Sequence, residues 1–309
     1  MQRSTVLIIF SYNRPDLTMK RLRQLVGVNC KIVVSVDAPK VGGPKFDFGA
    51  LKLMYESQVQ FLQNEENLGT AKHIVSQISD QFKTCDNVII IEDDISVDKA
   101  SVDTLIEILK FRLPEDVLTI GLFGSIPGKL ISYVSKSYWR KTRYFSAWGW
   151  AIQREDWPLF KLDIKEEISQ LKYSQSWLRL NEREKIIFQY RFEKVIQTPA
   201  LTWDYQMMFY GLLHDKKHLL PLFRCCDNEG FGDLRAVNTK TPRPKWYVGS
   251  RGIAERGFGL RLIPSRAAAI FEFLDKLTWA GSSFLLLELL KAKSPMFKSS
   301  KAFKRRLSE

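Results

Sequence analysis

A mostly parallel β-sheet flanked by α-helices, and so an α/β fold, is what this sequence predicts, on three observations. Strand-like runs alternate with helix-spaced segments on short connections over roughly the first 115 residues, the order that yields a parallel sheet with crossover helices. The runs Leu7 to Phe10, Ile32 to Val34 and Val88 to Ile91 are apolar without alternation, as strands buried on both faces require. Each run then stops at polar residues, Asn13, Asp37 or the triplet Glu92-Asp93-Asp94. In open α/β sheets ligands lie off the carboxyl ends of the strands, so these residues can converge on one crevice.

The elements follow in order. Thr5 to Phe10 reads as the first strand, and Pro15 helps to fix the loop after it. A helix runs from Asp16 or Leu17 to Val26, with Lys20, Arg21 and Arg23 exposed. Cys30 to Asp37 is a second strand, Gly42 to Gly49 a loop, and Leu51 to Phe61 a helical stretch. Val59 to Gly69 reads as a strand and turn, and Thr70 to Phe82 has the apolar spacing of a helix. The strand ending at Glu92 comes next, with a helix opening near Asp98. Val117 to Ser125 is another strand, and Arg143 to Trp157 is dense in aromatics. Gly149, between Trp148 and Trp150, lets the backbone pass close to a ligand or a second strand, while the two tryptophans either stack on a sugar ring or fill the core. Ile164 to Val195 looks helical, and a further helix begins near Asp204. Cys225 to Pro244 is long, polar and glycine-bearing, the composition of an active-site flap.

Bulk properties narrow the class. The chain has 309 residues, 45% hydrophobic and 26% charged, ordinary values for a globular protein with a sizeable core. Its first apolar run is too short for a secretory signal and reads as a strand. Cys30, Cys85, Cys225 and Cys226 show no CxxC spacing, and the last two are adjacent, which fits a reducing cytoplasm better than a disulfide framework. His214 and His218 stand four apart but among lysines and without a nearby helical Glu, so no zinc site is expected there.

Three adjacent acids at a strand end repel one another, which raises their pKa values and costs stability unless something compensates. Two explanations are open from the residues alone. The strand leaves the core for water, with an Asp opening the next turn or helix; or a hard cation sits on the acids, as Mg2+ or Mn2+ does with one or two carboxylates plus phosphate and water oxygens. No GxGxxG follows the first strand and no GxxxxGK[ST] occurs, which counts against a dinucleotide-binding dehydrogenase and a P-loop enzyme.

Taken in order, the motifs resemble those of nucleotide-sugar-dependent glycosyltransferases of the GT-A fold, most closely the N-acetylglucosaminyltransferase I type and less specifically the bacterial sugar transferases. The resemblance spans Val6 to Asp233. It rests on Asn13-Arg14 after the first strand, Asp37 after the second, Lys72-His73 on a helix and Glu92-Asp93-Asp94 after an apolar strand. It continues with the aromatic-Gly-Trp stretch Tyr144 to Ile152, Trp203-Asp204 opening a helix, and the glycine-containing loop Asn228 to Gly232.

The resemblance implies a GT-A-like sheet, a nucleotide-sugar donor, in particular a UDP-sugar with uracil on Asp37, and Mn2+ or Mg2+ as cofactor. By the same resemblance Asp94 binds the metal, Asp93 faces the ribose or metal waters, Glu92 approaches the donor sugar, and Asn13, Arg14, Asp37 and His73 complete the nucleotide-sugar site. Asp204 is the implied catalytic base of an inverting transfer to a glycan or lipid-linked hydroxyl. The family pattern carries two acids after that Trp, whereas Tyr205 follows Asp204 here. Glu155 and Asp156 therefore stand as the alternative base, and a helix N-cap as the alternative role for Asp204. For Arg14 the alternative is a solvated turn residue, and for His73 a partly buried helix histidine.

The chain divides on this reading into a nucleotide-sugar-binding half at 1–115, an acceptor-binding and catalytic half of the same domain at 116–262, and an apolar helix with a basic tail at 263–309. Net charge is +13, and from Lys291 onward Lys291, Lys293, Lys298, Lys301, Lys304, Arg305 and Arg306 face only Glu309. Ala267 to Leu290 is apolar but interrupted by Glu272, Asp275, Lys276 and Glu288, too short a clean run to span a bilayer. The tail either lies on an anionic membrane surface or docks Phe271, Leu274, Trp279 and Leu285 on protein. A cytoplasmic enzyme, peripheral at the inner face of the cytoplasmic membrane and without a nucleic-acid partner, is the expectation. The rivals are a nucleotidyltransferase making nucleotide sugars, weakened because Ser11 to Thr18 has no glycine, and a scaffold acting through the tail on membrane or nucleic acid.

Overall fold

The computed structural model has the mixed α/β architecture expected. It describes residues 2–40, 57–124, 126, 138–200, 202–235 and 260–263, with residues 49, 55, 268, 270–272, 274–275 and 303–307. The strands are β1 (Thr5–Ser11), β2 (Lys31–Val36), β3 (Val59–Gln63), β4 (Asn87–Glu92), β5 (Ile95–Val97), β6 (Val117–Gly121), β7 (Tyr138–Thr142), β8 (Trp150–Gln153), β9 (Lys217–Pro221), β10 (Cys226–Asn228) and β11 (Arg261–Leu262). The helices are α1 (Pro15–Leu25), α2 (Thr70–Gln81), α3 (Lys99–Leu109), α4 (Gln175–Leu178), α5 (Glu182–Gln197) and α6 (Asp204–Leu213).

Among the described residues nine strands form one sheet in the order β11-β7-β9-β6-β8-β4-β1-β2-β3, and β5 pairs with β10 in a small second sheet. The block β3-β2-β1-β4 is wholly parallel, with Ile9 opposite both Val34 and Ile91. Strand β8 then runs antiparallel to β4 and to β6. Strand order reverses around β1, which has β2 on one side and β4 on the other. That is the topological switch point where α/β sheets hold ligands beyond their carboxyl ends.

The unbroken apolar runs are explained by two cores, one on each face. Leu7, Ile9, Ile89 and Ile91 pack with Leu22 and Leu25 of α1 and Val102, Leu105 and Leu109 of α3. Their strand neighbours Ile8, Phe10, Val88 and Ile90 point the other way, to Ile74 and Ile78 of α2 and Phe188, Phe192 and Phe209 of α5 and α6. Three expectations are corrected. The helical stretch assigned through Phe61 gives way by Val59 to β3, whose register on β2 outweighs local propensity. The helix expected over 164–195 is broken into a 3-10 turn at Ile168–Tyr173, α4, and α5, which opens with a capping box between Asn181 and Glu184. Within α1, Arg21 is buried, not exposed. Its position follows from spacing: Thr18, Arg21, Leu22 and Leu25 form the buried stripe of that helix.

Most of residues 263–309 lie outside the described residues, Trp279, Leu285 and the lysines from Lys291 to Lys301 among them. What is described docks on the domain. Phe271 and Leu274 join the core of α1 and α3, and Phe303 packs against Trp177 and Phe192. Asp275 pairs with Arg140 at 2.6 Å, both side chains being essentially without solvent contact, and Arg306 reaches Glu193 at 3.3 Å. Asp275→Ala leaves the Arg140 guanidinium buried without its counter-charge, so we expect a loss of about 3–5 kcal/mol in urea unfolding. A loss below about 1 kcal/mol would mean that this segment does not hold the domain. No helix among the described residues is long and apolar enough to cross a membrane.

His218 on β9 is fully buried, its Nδ1 2.7 Å from the Thr119 hydroxyl. Burial, helped by Lys217, pushes its pKa down to about 3. The folded state therefore keeps it neutral while the unfolded chain binds a proton below about 6.5. Its share of stability is fully present above that pH and is lost as pH falls toward 3. Urea midpoints should fall on acidification from pH 6.5 to 4, and His218→Gln should flatten that slope; equal slopes would contradict the assignment.

Candidate active site

The acid triplet sits at the switch point. Asp93 N–H donates to the Phe10 carbonyl at 2.9 Å, which ties the end of β4 to the end of β1. The Asp93 carboxylate also accepts from Tyr12 N–H at 3.2 Å. Asn13 adopts φ 57, a left-handed turn that Asn tolerates better than most residues. This turn, followed by Pro15 in the first turn of α1, brings Arg14 back over the acids. The Arg14 guanidinium bridges Asp93 and Asp94, the latter at 2.8 Å. Thus Arg14, a solvated residue on the alternative reading, is mostly buried and paired.

The electrostatics follow from the crowding. Burial first, then Asp94 and Asp93, push Glu92 up to about 8, with Arg14 opposing and Asp204 adding to the rise. Burial also leads for Asp93, which is pushed up to about 7 by its removal from water and by Asp94, against Arg14 and the Tyr12 N–H. For Arg14, burial works against the charge, but Asp93 and Asp94 outweigh it and hold the pKa above its ordinary value. One guanidinium thus leaves the acid cluster incompletely compensated.

Two residues that sequence reasoning missed complete this wall. Glu229, next to β10, donates its N–H to the Asp94 carbonyl at 2.7 Å. Its carboxylate pairs with Arg21 and, at 2.9 Å, with Lys20. Arg21 in turn donates Nε–H to the Asp93 carbonyl at 3.3 Å. The buried-stripe spacing of α1 was a usable signal for Arg21; nothing local marked Glu229 among the polar residues of its loop. Arg235 extends the clasp, pairing with Asp16 at 2.6 Å and with Asp233 at 3.0 Å.

Asp37 ends β2 as expected, but its carboxylate is already in use. Oδ1 accepts from Ala38 N–H at 3.1 Å, Asn64 Nδ2–H at 2.9 Å and Leu68 N–H at 3.0 Å, and Oδ2 from Gly69 N–H at 2.9 Å. Asp37 therefore organises the turn that leads into α2. His73 is not presented to a ligand. It is 3% exposed, holds the Ser35 hydroxyl at 2.7 Å with Nε2 and meets Phe10 edge-on. Burial pushes it down to about 4 despite the pull of Asp37. His73 thus has the place of the buried helix histidine that was its alternative reading, because its side of α2 is the one that packs on the sheet.

Asp204 is the first residue of α6 and Trp203 its N-cap, so the capping role considered for Asp204 does not apply. The Asp204 carboxylate accepts from the Thr202 hydroxyl, and its charge reaches Glu92. Trp203 fixes the approach by stacking on Trp150 with centroids 5.1 Å apart. Glu155 and Asp156 are at the far end of the sheet: Gln153, just before them, lies opposite Asn87, the first residue of β4. Glu155 is held by Arg3 at 2.6 Å, and Asp156 by Arg112 at 2.6 Å and Lys216 at 2.9 Å. Of the two tryptophans flanking Gly149 (φ 67), Trp150 is core, whereas Trp148 is half-buried and meets Phe231 of the Glu229 loop edge-on at 5.9 Å.

No protein-family model and no curated protein matches the chain. Solved structures do. A mannosyltransferase, PcManGT from Pyrobaculum calidifontis in complex with GDP-Man and Mn2+, matches at TM-score 0.40 and 16% identity over 70% of this chain and 69% of that one. GalNAc-T7 with UDP, GalNAc and Mn2+ matches at 0.45 and 12%, over 73% of this chain and 43% of that one. TarS of S. aureus, residues 1–349 with UDP-GlcNAc, matches at 0.30 and 14%, over 39% and 34%. The chain is alike in part to each of these three, at TM-scores below 0.5 and identities below 25%. It spans less than half the length of the last two.

Proposed function

We propose that the protein is a metal-dependent glycosyltransferase that moves a sugar from a nucleotide diphosphate donor, a UDP-sugar foremost, to a hydroxyl of a glycan or glycolipid with inversion. The observation that carries this reading is the acid triplet at the switch point, bridged by Arg14, with Asp204 close enough for its charge to help raise Glu92. A divalent ion fits the donor set, which is all oxygen and short of positive charge. Among the described residues no three His, Cys, Asp or Glu side chains form a metal cage. The fit is therefore to an ion held by Asp94 together with the phosphates of the donor, the manner usual for Mg2+ and Mn2+. Bound there, Mg2+ or Mn2+ would neutralise charge on the departing diphosphate.

The chain's own residues divide the remaining work. Asn13 and Arg14 face the diphosphate and nucleoside, and Asp37 shapes the base side through the turn it holds. Asp93 serves the ribose side, and Glu92, with its raised pKa, meets a sugar hydroxyl. Asp204 accepts the acceptor's proton as that oxygen bonds to the anomeric carbon and the bond to the diphosphate breaks. The basic tail supports an acceptor presented at the inner face of a membrane by a cytoplasmic enzyme. A panel of nucleotide sugars, read by nucleotide diphosphate release with and without Mn2+, tests the reading. Turnover of at least one donor only with divalent ion is expected; no turnover or binding of any donor under any metal would overturn it.

A further inference from the structure

We propose that Arg14 is an exchangeable counter-ion: it holds Asp93 and Asp94 until a divalent cation and a nucleoside diphosphate arrive, then yields the acids to the cation and binds the diphosphate. The inference rests on the proposed function and goes beyond it, because it assigns Arg14 two successive partners and makes it a competitor of the metal.

Three features of the molecule carry it. Arg14 is the one cation bridging the Asp93 and Asp94 carboxylates among the described residues; Lys20 and Arg21 pair instead with the carboxylate of Glu229. A cation placed on Asp94 therefore competes for an oxygen that the guanidinium holds, and two like charges cannot share it without repulsion. The main chain at Arg14 is anchored, whereas among the described residues its guanidinium is ion-paired only with the two acids it would yield. Its carbonyl accepts from Thr18 N–H and the Thr18 hydroxyl, each at 3.0 Å, anchoring it to the start of α1. From that anchor the flexible stem can carry the guanidinium off the acids without disturbing the helix. Departure leaves the Tyr12 N–H at 3.2 Å and the Ser11 hydroxyl at 3.4 Å on Asp93 Oδ2 and frees Oδ1, the oxygen that pairs with the guanidinium.

The guanidinium fork that now straddles two carboxylates matches phosphate oxygens equally well. A diphosphate entering at the switch point brings the negative charge that draws Arg14 away as the cation takes its place. The acids are then handed from one cation to another. In the absence of donor, the same arrangement keeps loose metal ions off the acid pair.

The two halves give opposite signs in one variant. Arg14→Gln should bind Mn2+ alone at least tenfold more tightly than the wild type and UDP in saturating Mn2+ at least tenfold more weakly, by calorimetry or Mn2+ electron paramagnetic resonance. Unchanged or weaker Mn2+ affinity overturns the competition; unchanged UDP affinity overturns the transfer to diphosphate. Arg14→Lys, which keeps a charge on the acids, serves if the glutamine variant fails to fold and should shift both affinities in the same directions by smaller factors; a shift in neither overturns the proposal. If the wild type binds no nucleoside diphosphate with Mn2+, the proposed function fails and this inference with it. If the wild type binds and the variants do not diverge, only this inference fails.

Discussion

Asp94→Ala should lose metal-dependent binding of nucleoside diphosphate, with affinity in Mn2+ falling to the level measured in chelator. Asp94 is the acid proposed to share an ion with donor phosphates: it lies in the turn between β4 and β5, its carboxylate is held by Arg14, and its backbone is pinned by Glu229. The fold should survive the change. Arg14 retains Asp93, and removing one of three neighbouring acids relieves the repulsion that raises Glu92 and Asp93. The melting temperature without metal should therefore stay level or rise. Unchanged Mn2+-dependent affinity would remove Asp94 from the metal site.

Asp204→Asn should bind the donor about as well as the wild type while transferring sugar roughly 10²–10⁴-fold more slowly, the scale of losing a general base. Asparagine keeps the size of the side chain and an oxygen for the Thr202 hydroxyl that Asp204 now accepts, so the start of α6 should hold. What it lacks is basicity. Single-turnover transfer rates alongside donor affinities separate the two effects. A transfer rate within about threefold of wild type, well inside the effect of losing a base, would clear Asp204. Glu155 and Asp156 would not inherit the role, because each is engaged by basic partners at the opposite end of the sheet.

The strand framework was legible because its physics is local. Runs such as Val88 to Ile91 declare two buried faces, and the polar residues that end them declare which edge of the sheet faces a ligand. The acid triplet, Asn13-Arg14 and Asp204 were singled out as candidates by that reasoning and by motif order. What was not legible depends on contacts far apart in the chain. Arg14 on Asp93 and Asp94, and Arg21 on Glu229, are pairings across scores of residues that no window of sequence contains. The burial of His73 was not legible either, because the helical position next to Lys72 does not say which side of α2 packs on the sheet; the Ser35 hydroxyl and Phe10 ring do. Asp37 was correctly placed at its strand end, but its four backbone and side-chain donors come from a turn whose path only the fold reveals.

The most direct measurement of the central claim is calorimetric titration of UDP, and of GDP for comparison, into the wild-type chain in Mn2+ and again in chelator. Binding of at least one of them in Mn2+ that weakens at least tenfold in chelator is the result expected of an acid cluster that shares an ion with a diphosphate. No binding of either in Mn2+, or binding equally strong without it, would contradict the account.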